Sequence, residues 1–141
     1  MSDVFRTSRI VEFGDTDMAG IVHFSNFFRF MEAAEHAFLR AREMSVITSW
    51  QGETVSFPRV SAACDYLKPA RFQDVLDIEV RVDHLGRSSV RYTFVFRKAG
   101  ETIARGHITA VLCRVVEGHG LEAMEIPEEW RRKLQQQGGA G

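Results

Sequence analysis

The sequence predicts an α+β domain in which one long helix covers a face of an antiparallel sheet of about five strands. Two patterns carry that expectation. Apolar residues recur at spacings of three and four in one stretch only, Phe27 to Ala41, and at a spacing of two in several later stretches joined by short turns. The size agrees: 141 residues, 45% hydrophobic and 26% charged, suit one globular domain that folds without disulfides or metal.

Phe5 to Phe13 is rich in β formers and reads as a first strand, broken by the turn residues of Gly14-Asp15-Thr16-Asp17-Met18-Ala19-Gly20. The helix then carries Phe27, Phe30, Met31, Ala34, Ala37, Phe38 and Ala41 on one side. Ser25 or Asn26 can cap its start, and it is expected to end near Met44, about 20 residues on. Trp50 to Thr54 is a connection without a clear pattern.

Val60, Ala62, Cys64 and Tyr66 share a strand face, and Lys68-Pro69 stops that strand because proline cannot continue a ladder. Val75 to Leu85 alternates apolar with charged residues, Gly86-Arg87 interrupts it, and Val90, Tyr92, Phe94 and Phe96 resume. Ala99-Gly100-Glu101 makes the next turn, and Thr102 to Val116 reads as one long last strand. A short helix follows Pro127, with Trp130 and Leu134 on one side. The domain is taken as residues 1–134, with 135–141 as a flexible tail.

A single helix leaves the other sheet face bare. The last strand is partly apolar on both parities, with Ala104, Ile108 and Leu112 opposed to Val111, Cys113 and Val115. A second subunit over that face is the expectation, as a homo-oligomer, dimer or tetramer.

Composition narrows the function. A net charge of −1 disfavours nucleic acid and membrane surfaces as partners. No apolar run approaches the roughly 18–20 residues of a membrane helix, and the N-terminus lacks a signal-peptide pattern, so the expected location is cytoplasmic. Cys64 and Cys113 are far apart in β-rich stretches and read as structural thiols, with no metal-site spacing. Only Lys68, Lys98 and Lys133 are lysines, and eleven aromatics are Phe. An Arg- and Phe-rich chain of neutral charge suits a ligand that is part phosphate and part apolar.

The chemistry is expected in Glu12 to Asn26, where two carboxylates sit in a glycine-bounded loop leading into a helix N-terminus. Free backbone N–H groups at such an end can polarise a carbonyl, and a neighbouring carboxylate can attack it or activate water. The plainer reading of the same residues is an Asx turn that begins the helix.

Asp15, Asp17, Gly20 and Val22 form a D-x-D-x-x-G-x-V run between first strand and helix. Here the chain resembles the hotdog-fold thioesterases of the 4-hydroxybenzoyl-coenzyme A thioesterase type. The likeness continues through Tyr66 to Leu76 and Leu85 to Tyr92, covering roughly Phe5 to Val116.

The resemblance implies a hotdog fold, a long central helix wrapped by a curved antiparallel sheet, and hydrolysis of an acyl-CoA thioester to free acid and CoA. It implies Asp17 as nucleophile or base, Asp15 as a turn residue, the N–H near Phe24 as the group that polarises the carbonyl, and Gly20 as a close-approach or turn residue. His23 stands one position from the histidine of some relatives and is kept as a substrate-binding candidate. Arg87 falls where some relatives hold nucleotide phosphates. No metal and no cofactor are implied, since CoA is part of the substrate.

Phe24, Phe27, Phe28 and Phe57 are candidate walls of an acyl site. Glu32 and Glu35 are reserve carboxylates on the helix, and His36 is taken as a surface or interface residue. A hotdog hydratase or dehydratase and a non-catalytic acyl-thioester binding module are the competing readings.

Overall fold

The Phe-rich stripe folds as α1, Asn26–Arg40, which buries Phe27, Phe30, Met31, Ala34, Ala37, Phe38 and Leu39. Each such large apolar side chain contributes about 1.5–3 kcal/mol when fully buried. The computed structural model describes residues 4–136, 138 and 139. The strands in order are β1 (Phe5–Ile10), β2 (Ile47–Trp50), β3 (Glu53–Ser56), β4 (Arg59–Tyr66), β5 (Val75–Leu85), β6 (Ser89–Lys98), β7 (Glu101–Val111), β8 (Cys113–Val116) and β9 (Gly120–Ala123). The second helix, α2, is Glu128–Gln135 and buries Trp130 and Leu134, as the sequence predicts.

Five strands form an antiparallel sheet in the order β1-β5-β6-β7-β4, and α1 lies across its inner face. That face presents Leu76, Ile78, Val80, Val90, Tyr92, Phe94, Phe96, Ala104, Ile108 and Ala110, all buried. The expected helix-on-sheet fold is therefore present. A second sheet, β2-β3-β8-β9, is an addition that the sequence pattern did not announce.

Four local expectations are corrected. The first strand ends at Ile10, and Phe13 to Asp15 form a 3-10 turn with Phe13 exposed. Helix α1 has 15 residues and stops short of Met44. There Met44 N–H donates to Leu39 C=O and Glu43 N–H to Arg40 C=O, the Schellman pattern, with Glu43 at a φ of 57°. The unclear connection is a hairpin: Gln51 and Gly52 both have positive φ, as a two-residue primed turn between β2 and β3 requires. The long last strand breaks at Leu112, where the chain passes from one sheet to the other.

That break changes the reading of the bare face. Cys113 and Val115 belong to β8 of the second sheet. The outer parity of β7 is Arg105, His107, Thr109 and Val111, mostly polar. The exposed feature is instead the free edge of β4, the last strand of its sheet, with Val60 63% exposed.

A bulge between Arg59 and Ser61 puts Arg59 opposite Ala110 on the inner face. There Arg59 forms a short ion pair with Glu35 of α1 and lies 3.4 Å from His36 Nε2. Burial pushes the Glu35 carboxyl above its ordinary pKa, opposed by the charge of Arg59. Arg42 ties α2 and described residues just after it to α1. Its guanidinium sits 3.7 Å from the centre of the Phe38 ring and donates to the carbonyls of Lys133, Gln136 and Gly138. Arg6 N–H donates to Gly139 C=O. The flexible-tail expectation for Gln137, Ala140 and Gly141 falls outside the described residues.

Candidate active site

The loop between β1 and α1 is locked by Asp15. Its carboxylate accepts Glu12 N–H at 2.8 Å and faces Arg9 Nη2 at 3.5 Å. Its backbone carbonyl accepts His23 N–H at 2.9 Å and the Asn26 side-chain amide at 2.8 Å. Asp15 thus fastens the loop to the helix start, and both of its oxygens are engaged.

Asp17 differs. Its N–H donates to Ile21 C=O at 2.8 Å, its C=O accepts Gly20 N–H at 2.9 Å, and its Oδ1 accepts Ala19 N–H at 2.8 Å. Its second carboxylate oxygen has no partner among the described residues, and the side chain is half-buried. The Asx turn therefore exists, and it uses only one oxygen of the carboxylate. Gly20 has a φ of 82° with open space where a Cβ would stand, so turn conformation, not crowding, requires glycine.

The start of α1 supplies the second element. Asn26 N–H donates to His23 C=O, Phe27 N–H to Phe24 C=O and Phe28 N–H to Ser25 C=O, while Ser25 N–H reaches His23 Nδ1 at 3.2 Å. Phe24 N–H alone in this turn has no acceptor among the described residues. It is the kind of orphan donor a helix start leaves for a ligand.

Asp17 and Phe24 both line a cleft of about 460 Å³, walled by Ile21, Val22, Phe27, Tyr66, Leu67, Pro69 and Ala70, with Lys68 at its rim. The lining is mainly apolar, and Lys68 is paired with Glu101 at 2.5 Å. Phe27 is packed edge-to-face between Phe30, Tyr66 and Phe96, which fixes the floor.

The other candidates are distributed differently. His23 is exposed, stacks on Phe24, and spends Nδ1 on Ser25, so it acts as a local helix cap outside the cleft lining. Phe28 is partly buried against the core. Phe57 packs on Trp130, outside the cleft lining. Glu35 is enclosed by its pair with Arg59, and Glu32 is exposed.

Arg87 is 82% exposed and lies 3.9 Å from Glu125, in a separate depression with Ser88 and Arg114. That depression is at the Val111 end of β7, whereas the cleft is at the Ala104 end. Seven strand residues separate them, about 20 Å. One chain does not bring Arg87 to Asp17.

Cys64 is no competing nucleophile, because burial pushes its thiol up to about 11. No group of three or more His, Cys, Asp or Glu suited to a metal occurs among the described residues. No helix there is long and apolar enough to cross a membrane. Sequence reasoning read Asp15 as a turn residue and missed the bonds that Tyr66 and Asn26 make. Their roles are hydrogen bonds to backbone carbonyls 42 and 11 residues away, which no spacing rule encodes.

Residues 11–134 match the family model described as the thioesterase-like superfamily. The chain belongs to that superfamily. It is a hotdog-fold thioester hydrolase. A protein of Aquifex aeolicus (strain VF5) is 31% identical to this thioesterase over 121 residues, covering 86% of the chain and 90% of its own length. The 1,4-dihydroxy-2-naphthoyl-CoA hydrolase of Nostoc punctiforme is 29% identical over 125 residues, covering 89% and 82%. Among solved structures, a gentisyl-coenzyme A thioesterase superimposes with a TM-score of 0.76 at 29% identity, covering 89% of this chain and 98% of its own.

Proposed function

We propose that this thioesterase hydrolyses an acyl-CoA thioester to free acid and CoA at Asp17. The observation that carries the reading is a pair: an unengaged Asp17 oxygen and an unengaged Phe24 N–H, on two residues that line one mainly apolar cleft. The thioester carbonyl oxygen takes the Phe24 N–H. Asp17 either adds to the carbonyl carbon, forming an anhydride that water then opens, or takes the proton of an attacking water. In both cases the C–S bond breaks and CoA leaves as the thiol.

The acyl group that suits these walls is uncharged and apolar or aromatic. The names of the Nostoc enzyme and of the gentisyl-coenzyme A thioesterase support a CoA carrier and an aromatic acyl class. Free-thiol release from a panel of aromatic, aliphatic and dicarboxylic acyl-CoA esters tests this. Release from the first two, with kcat/KM at least about tenfold lower for a succinyl ester, is the expected result, because a second carboxylate would be desolvated beside apolar walls. No release from any member refutes hydrolysis. A hydratase reading loses its support here, because the cleft lining contains no histidine.

The working unit of this proposal is a homo-oligomer. The free edge of β4 offers unpaired backbone groups along eight residues, interrupted by few charges, and such an edge is normally covered. Antiparallel pairing of two β4 edges about a two-fold axis sets each Tyr66 end beside the partner's Arg59 end. The partner's Arg87 hairpin then approaches the cleft mouth, where CoA phosphates would lie. Sedimentation at micromolar concentration is expected to give at least twice the 16.0 kDa chain mass. A monomer would remove both the pairing and the role of Arg87.

A further inference from the structure

Tyr66 is a polar side chain of the cleft wall that hydrolysis at Asp17 leaves unused. It ends β4, and its register partner Ala104 places it on the inner face, above Phe27. Its phenol O–H donates to Phe24 C=O at 2.9 Å, and its ring meets Phe24 edge-to-face at 6.4 Å.

That bond falls where the helix start is weakest. Phe24 C=O otherwise accepts only Phe27 N–H, at 3.3 Å, the longest of the first-turn bonds. On the other side, His23 N–H is held by Asp15 C=O at 2.9 Å. The two peptides that flank the one carrying Phe24 N–H are thus gripped, from the loop by Asp15 and from the sheet by Tyr66. Burial raises the Tyr66 phenol above its ordinary pKa, which keeps the donor protonated across the working range.

We infer that Tyr66 is a positioning residue, whose O–H fixes Phe24 so that its N–H meets the thioester carbonyl oxygen in the transition state. The inference rests on the assignment of Phe24 N–H as the polarising donor. A donor that is already aimed costs no reorganisation as charge develops on the oxygen, and a displacement of about 1 Å can cost about a hundredfold in rate. A tyrosine on a sheet edge adds a hold that the helix start lacks, because the Ser25 side chain there makes no capping bond.

Tyr66→Phe isolates the O–H, since the ring and its contacts with Phe24 and Phe27 remain. With the acyl-CoA that the wild type turns over best, kcat is expected to fall about tenfold while KM stays within about twofold, the size of one lost hydrogen bond. The melting temperature is expected to stay within about 2 °C, since the lost bond lies on a half-exposed rim. A role as cleft wall alone predicts an unchanged kcat in this variant, with KM rising only when the ring is removed in Tyr66→Leu. Wild-type thiol release together with an unchanged kcat in Tyr66→Phe overturns the positioning role and leaves the site assignment standing. Absence of thiol release by the wild type overturns both.

Discussion

An Asp17→Asn protein is expected to bind acyl-CoA with about wild-type affinity and to release thiol at least about 100-fold more slowly. The amide keeps the shape of the side chain and one oxygen. Ala19 N–H already donates to Oδ1, so the oxygen of the amide is retained there and the NH2 group takes the unengaged position. That position then has no lone pair to add to a carbonyl or to accept a proton from water. The loop keeps its backbone bonds, Asp17 N–H to Ile21 C=O and Gly20 N–H to Asp17 C=O, so the fold does not depend on the charge. Thiol release measured against binding by calorimetry separates the two steps. A variant turning over at near the wild-type rate would dismiss Asp17 as the reacting carboxylate. Asp15→Asn is the internal contrast: its oxygens face Glu12 N–H and Arg9, so its loss is expected in thermal stability first.

The difference between these two aspartates marks what local sequence can carry. The D-x-D spacing and the apolar period placed a carboxylate beside a helix start, because both are properties of neighbouring residues. Which carboxylate is free depends on how the loop folds Asp15 back onto Glu12 N–H and Arg9, and that was not written in the D-x-D spacing. The helix was legible through Phe27, Phe30 and Phe38, yet its end was not, because Glu43 takes the left-handed turn without the glycine that usually announces it. The four later strands of the main sheet were legible from alternation and β1 from its β formers. The bulge beside Val60 was not, and it alone turns Arg59 inward to Glu35. Arg87 was read from its place in a hairpin, and only the strand register shows that hairpin to be at the other end of the sheet from Asp17. Pairing partners distant in sequence decide these points.

Gly106 is where the packing of α1 on the sheet leaves least room, and its replacement is expected to have the largest effect on stability. It lies mid-strand in β7, opposite Cys64 of β4, and its φ is not in the left-handed region, so flexibility is not its reason. A Cβ there would stand 2.5 Å from Met31 Sδ and 2.8 Å from the backbone oxygen of Ala63. Met31 is fully buried, so its sulfur has little space to retreat, and the Ala63 carbonyl can move only if β4 moves. Gly106→Ala is expected to cost about 1–3 kcal/mol, the usual penalty of overpacking, and Gly106→Val more. At about 3 °C per kcal/mol for a chain of this size, thermal denaturation should show a fall of up to about 10 °C for alanine. The same replacement made in a Met31→Ala background should cost less than in the wild type, because the sulfur clash is gone and only the backbone one remains. Any shift of β4 at Ala63 is carried three residues along to Tyr66, so the alanine variant should also lower kcat at temperatures where it remains folded. An alanine variant that melts within 1 °C of wild type would mean that helix and strands are not in the close contact from which both the cleft floor and the Tyr66 bond are built.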